Sequence, residues 1–180
     1  MIVLEDTGER INPKEMQPMS GMLLEHIARY YFSTPYAKGR VLDIACGTGY
    51  GSVLVAKTRK KEISELIGVD IAEDTISYAK KNYYHPKVSF RQGNALDEDL
   101  KDQIGSFDTR LSFETIEHVL SDQLFVEKLS KLLTPDGTII ISTPFGQGRG
   151  KPSGSPFHYH QLTEVEFREL FTGFKSVEYY

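Results

Sequence analysis

The chain has 180 residues, 39% of them hydrophobic and 26% charged, which supplies one hydrophobic core and too little chain for two ordinary domains. A formal net charge of −4 and a pI near 5.8 argue against a broad grip on a nucleic-acid backbone, so a small-molecule partner is expected ahead of nucleic acid. The acidic start MIVLEDTGER does not read as a secretory signal, no run approaches the ~18 apolar residues of a membrane span, and the single Cys46 has no internal disulfide partner; the expected compartment is the cytoplasm, with no membrane partner.

Ser20 is expected to cap a first helix, whose apolar positions Leu23, Leu24, Ile27, Ala28 and Tyr31 recur at helical spacing and which stops before Pro35. Residues 1–38 therefore read as a helical cap segment and 39–180 as the main part of a single domain. Beyond it, β-branched runs predict strands over 40–45, 65–70, 87–91, 107–113 and 138–143, separated by helical stretches near 50–59, 72–83 and 120–133. That alternation indicates an α/β fold with a doubly wound, mostly parallel sheet. The cluster Lys57, Arg59, Lys60 and Lys61 reads as the cationic close of a helix. Arg110 is out of place in a strand that should be buried, so it must pair, snorkel or face a partner. Pro135-Asp136-Gly137 predicts a turn before the fifth strand. Residues 144–160 hold four Gly and three Pro and predict a long irregular loop. Thr163 and Glu166 form a capping-box pattern for a helix over 163–172, and 175–180 reads as a sixth and final strand.

The segment VLDIACGTGYGS, residues 41–52, runs from strand into glycine turn into helix. Gly47 and Gly49 allow positive φ and let a ligand touch main chain, where helix N–H groups point at it. A dinucleotide fingerprint counted from Gly47 needs a third glycine at position 52, which is Ser52, so a nicotinamide oxidoreductase is disfavoured. Asp43, at the end of the first strand, suits a cationic amino group, reached directly or through water. Asp70 ends the second strand 23 residues after Gly47, where an acid accepts from both ribose hydroxyls. Together they describe an amino acid joined to a nucleoside.

From about residue 39 to 180 the sequence resembles the class I S-adenosylmethionine-dependent methyltransferases, with their Rossmann-like fold. Ala45 stands where the family's first glycine often is, Asp70 matches the ribose-binding acid, and Gln92-Gly93-Asn94-Ala95 resembles the third-strand motif whose Asn94 position contacts the adenine amino group. FETIEHV (113–119), Leu-x-Pro-Asp-Gly (133–137) and IISTP (140–144) match a subgroup acting on small molecules and sugars. The resemblance implies S-adenosyl-L-methionine as cofactor, in contact with Asp43, Ala45, Gly47, Gly49, Asp70, Ile71, Asn94, Ala95 and Phe113. It also implies that the N-terminal helix and Thr7 to Arg10 cover cofactor or substrate. The family's usual seven strands exceed the six predicted, so the seventh is expected to be missing and the 175–180 edge to be free for a homodimer.

Methyl transfer from a sulfonium needs chiefly alignment, and a hydroxyl acceptor also needs a base near the end of the fourth strand. His118 is the first candidate, with Glu114 beside it. Glu114, Glu117 and His118 are spaced i, i+3, i+4, which predicts one shared helical face. Followed by His158 or His160, that pattern resembles the metal site of the small-RNA terminal 2′-O-methyltransferases, and its first part resembles quinone-pathway O-methyltransferases. The implied ion is Mg²⁺, Mn²⁺ or Zn²⁺. The leading expectation is methyl transfer to a small-molecule hydroxyl. The alternatives are a metal-assisted RNA 2′-O-methyltransferase and a non-catalytic domain that only binds the nucleoside cofactor.

Overall fold

The computed structural model describes residues 10–180. Thr7, Gly8 and Glu9 of the expected covering segment lie outside the described residues. Five strands form one all-parallel sheet in the order β3-β2-β1-β4-β5: β1 Gly39–Ile44, β2 Ile63–Asp70, β3 Val88–Gln92, β4 Phe107–Phe113 and β5 Leu133–Ser142. The connecting helices are α2 Tyr50–Thr58, α3 Glu73–Asn82, α4 Leu100–Ile104 and α5 Asp122–Lys131, with α1 Gly21–Ser33 before the sheet and α6 Glu164–Glu169 after it. The order reverses between β1 and β4, so their carboxyl ends flank the crevice where open α/β sheets bind ligands.

Parallel strands bury both faces, and two cores result. On one face Leu42, Ile44 and Phe107 pack with Phe125, Leu129, Leu162 and Phe167; on the other Val41, Leu66 and Leu111 pack with Val55, Ala56 and Tyr30. No helix among the described residues is long and apolar enough to cross a membrane.

Several expectations need correction. Lys175 to Tyr180 is not a strand. Tyr180 anchors instead on the first helix and the 3₁₀ turn Thr34–Tyr36 that follows it: its ring meets Phe32 edge-on at 4.9 Å and its hydroxyl lies 3.0 Å from that of Tyr36. Among the described residues the sheet thus has five strands, not six, with β3 and β5 at its edges. Pro135-Asp136-Gly137 does not precede β5 but lies within it. Phe107 pairs with Leu133 and Thr109 with Thr138, so six residues of β5 face three of β4 as a bulge. A bulge on an edge strand is where proline is tolerated. Helix α1 turns a different face inward than its apolar spacing suggests: Leu23, Tyr30 and Ser33 are buried, whereas Leu24 and Tyr31 are exposed. Ser20 occupies the N-cap position without a side-chain cap bond.

Arg110 is fully buried between Leu42 and Ile139, and none of its three guanidinium nitrogens has a hydrogen-bond partner among the described residues. Burial pushes the guanidinium down to about 8, which still leaves it charged at neutral pH. The capping box of α6 forms as its spacing predicts, with Thr163 and Glu166 bonded reciprocally.

Candidate cofactor and catalytic site

Strand β1 runs into the glycine turn through two left-handed residues, Ala45 (φ 55°) and Gly47 (φ 55°). The two motif glycines serve different purposes. A Cβ on Gly47 would meet nothing within 4 Å, so its bare face opens on the crevice, whereas a Cβ on Gly49 would lie 2.6 Å from the Phe90 ring. Gly47 keeps room for a ligand and Gly49 lets α2 close on the sheet. Asp70 braces the turn from the end of β2: Oδ2 accepts from Gly47 N at 2.9 Å and Oδ1 from Ala72 N at 3.0 Å. Burial raises its pKa despite these bonds. Each oxygen keeps a second lone pair, so the carboxylate can still accept from a ribose. Ile71 beside it is 65% exposed, an apolar cover next to the acid. Asn94 follows β3, with Oδ1 accepting from Leu96 N at 3.0 Å, and Ala95 leans on the core.

Asp43 is enclosed. Its oxygens take the hydroxyls of Tyr30 and Ser52, and burial pushes the carboxyl up to about 7. Phe113 closes the same region, its ring edge-on to Tyr30 at 5.0 Å.

The fourth-strand motif departs from its predicted geometry. Glu114 adopts φ 49°, which breaks the chain direction before a helix can start, and only Ile116–His118 forms a single 3₁₀ turn. The three side chains therefore share no helical face. Glu114 turns toward α1, accepting from Ser142 Oγ at 2.7 Å and pairing with Arg29 Nε at 3.2 Å. Glu117 is buried and accepts from Thr143 Oγ1 at 3.0 Å. Glu117, His118 and His158 do converge, one ligand atom from each lying within 4.8 Å of the others, and neither Glu114 nor His160 belongs to that group. Left-handed backbone at Ala45 and Glu114, on adjacent strand ends, is the strain that functional crevices concentrate.

His158 arrives from the long loop, which is tied down at several points. Arg149 places Nε and Nη2 each 2.7 Å from Asp122 Oδ2 at the start of α5, and Gly148 N donates to Gln161 O at 2.9 Å. Tyr159 N donates to Glu117 O, and His118 Nδ1 lies 3.1 Å from the Phe157 carbonyl. A carbonyl only accepts, so Nδ1 carries a hydrogen, and in the neutral ring Nε2 then carries the lone pair.

Sequence reasoning missed Arg29, Tyr30, Ser52 and the Ile11 carbonyl, which accepts from buried Thr48 of the glycine turn at 2.9 Å. Tyr30 had a usable signal: with Leu23 and Ile27 it forms an i, i+4, i+7 stripe, beside Tyr31 at i+8.

The sequence is similar to known proteins over the same region. A methyltransferase-domain family profile matches residues 36–169. A probable S-adenosylmethionine-dependent methyltransferase from Mycolicibacterium smegmatis is 35% identical over 91% of this chain, which spans 62% of that protein's length. A ubiquinone biosynthesis O-methyltransferase from Azorhizobium caulinodans is 32% identical over 74% of this chain and 51% of its own. The fold also matches the plantazolicin methyltransferase BpumL, solved with S-adenosylhomocysteine, at a TM-score of 0.64 with 20% identity, covering 83% of this chain and 63% of that one. A five-stranded Rossmann-like sheet, a strained glycine turn braced by a strand-end acid, and these matches agree that the chain belongs to the family of S-adenosylmethionine-dependent methyltransferase domains.

Proposed function

We propose that this protein transfers a methyl group from S-adenosylmethionine to the hydroxyl oxygen of a small molecule. The observation that carries the reading is His118: its Nδ1–H is spent on Phe157 O, which turns Nε2 toward proton acceptance at the carboxyl end of the fourth strand. The cofactor supplies a methyl group already activated on its sulfonium. Gly47 leaves the open space that a nucleoside needs and Asp70 retains lone pairs for its ribose. Asn94, with Ile71 and Ala95, flanks the adenine; Asp43 acts on the amino group through its Tyr30 and Ser52 contacts, and Ala45, Gly49 and Phe113 shape the pocket. As the acceptor oxygen bonds to carbon and the sulfur–carbon bond breaks, the hydroxyl proton passes to His118 Nε2. Residues 1–38 serve as a cap over this site and 39–180 as the domain beneath it.

A second reading is favoured by the convergence of Glu117, His118 and His158. One carboxylate and two imidazoles suit Zn²⁺ or Mn²⁺, which would lower an acceptor hydroxyl's pKa. The Phe157 carbonyl at His118 Nδ1 is the kind of outer contact that fixes a ligating imidazole.

The test is mass spectrometry of products made from trideuteromethyl cofactor with phenols, sugars, amines and short RNAs, repeated in chelator and with His118→Ala. A hydroxyl product whose formation falls about 10²–10⁴-fold in His118→Ala supports the base. Loss in chelator with recovery on added Mn²⁺ supports the metal. Cofactor binding without any methylated product would leave a non-catalytic binding domain.

A further inference from the structure

Arg29 reaches the crevice from α1 with more donors than its surroundings use. Its Nε pairs with Glu114 Oε1 at 3.2 Å and its Nη2 stands 3.9 Å from Glu25 Oε2. Nη1 is buried and has no hydrogen-bond partner among the described residues. Buried guanidinium nitrogens normally find an acceptor, so an orphan marks a place where an acceptor is expected to arrive.

The surroundings indicate from where. Arg29 lines, with Phe113, Ser142, Thr143 and Phe145, the carboxyl-end portion of a cavity of about 910 Å³ that continues along β5 as far as Pro135 and the 174–180 tail. Its chain neighbour Tyr30 donates to Asp43 at the end of β1. Consecutive residues of α1 thus serve two strand ends of the same crevice. Glu114 is itself held by Ser142 and by its own left-handed backbone, so it fixes the guanidinium before any ligand enters.

We infer that Arg29 is a carboxylate receptor of the methyl-transfer site. The inference rests on the function proposed above and adds a ligand group to it. A carboxylate presents two coplanar oxygens that match a guanidinium fork, which an ammonium does not match. Two molecules in such a reaction offer one: the amino-acid end of the cofactor, which carries ammonium and carboxylate on one carbon, and an acidic acceptor. Only binding is involved, and no bond is made or broken at Arg29.

Calorimetry with four probes separates these sources. S-adenosylhomocysteine carries the amino-acid carboxylate and 5′-methylthioadenosine is the same nucleoside without it; 4-hydroxybenzoate and 4-hydroxybenzyl alcohol are an acidic acceptor type and its uncharged counterpart. If the cofactor is the source, Arg29→Met weakens S-adenosylhomocysteine about tenfold or more, leaves 5′-methylthioadenosine unchanged, and Arg29→Lys recovers part of the loss. If the acceptor is the source, the two nucleosides keep their affinity ratio, while the wild-type preference for 4-hydroxybenzoate over the alcohol disappears in the variant. Intact 5′-methylthioadenosine binding also establishes that the variant is folded; should Arg29→Met not fold, Arg29→Lys carries the comparison. Failure of both nucleosides to bind the wild type would count against the cofactor reading, leaving the benzoate pair to decide for Arg29. An unchanged nucleoside ratio, joined to a benzoate preference that is absent from the wild type or survives in the variant, overturns the inference.

Discussion

The Tyr30 hydroxyl stands 3.2 Å from Asp43 Oδ2, and Ser52 Oγ reaches the same oxygen at 2.5 Å. These two donors pull the carboxyl pKa down, but burial outweighs them and leaves it at about 7. A carboxyl whose pKa is raised by folding helps stability while protonated, and that help is lost as pH rises from its unfolded value near 4 through 7. Asp43→Asn keeps an acceptor for both hydroxyls and carries no charge. It should leave stability unchanged at about pH 3.5 and raise it by roughly 2–4 kcal/mol at pH 8. Urea unfolding of both proteins across that range is the measurement, and a pH-independent difference would contradict the account.

Asp70→Ala should remove more than a ribose contact. The same carboxylate holds Gly47 N and Ala72 N, so the turn loses its brace as the ligand loses its acceptor. Charge-assisted hydrogen bonds of this kind contribute about 1.5–3 kcal/mol, so S-adenosylhomocysteine affinity should fall roughly 10- to 150-fold. Calorimetric titration checks this, and unchanged affinity would remove Asp70 from the cofactor site.

Arg110→Leu should stabilise the protein. The guanidinium is desolvated by Leu42, Ile139 and the core around them, and its N–H groups find no acceptor among the described residues. Replacing buried charge by an apolar side chain that fills the space commonly gains about 1–4 kcal/mol. A thermal midpoint that falls in Arg110→Leu would mean that the charge has a counterpart in the folded protein.

Arg149→Met should loosen the loop that carries Phe157 and His158. Its bond to Asp122, a buried acid, is lost along with its approach to Glu166 at 3.7 Å. The expected cost is about 1–3 kcal/mol. Limited proteolysis should then cut within 144–162 much faster than in the wild type, while sites in α2 and α3 stay protected. Equal cleavage would show that the loop is held by other contacts.

The sheet was largely legible because β-branched runs and the glycine turn are local signals, and the observed strands begin and end within a few residues of the expected ones, apart from the early start of β5 and the missing strand at 175–180. Chemistry that depends on pairing across the chain was not. Glu114 and His118 were visible as residue types, but the spacing predicts a helix, and a left-handed Glu114 reassigns one carboxylate to Arg29, 85 positions earlier. The aromatic residues of 175–180 likewise read as β-formers, yet their contacts on Phe32 and Tyr36 decide their conformation. Arg110 was correctly conspicuous, and no partner for it emerged among the described residues.

Among the described residues no strand pairs with the outer side of β5. Its bulge over Thr134 to Gly137 spoils the ladder at one end, so only Thr138 to Ser142 presents a regular row of amides and carbonyls. Such a row is a template. Two copies meeting there about a twofold axis would run their β5 strands antiparallel and merge two sheets into one, which makes association dependent on protein concentration. Refolding yield should therefore decline as concentration rises, and a yield that stays constant across a concentration series would contradict the template.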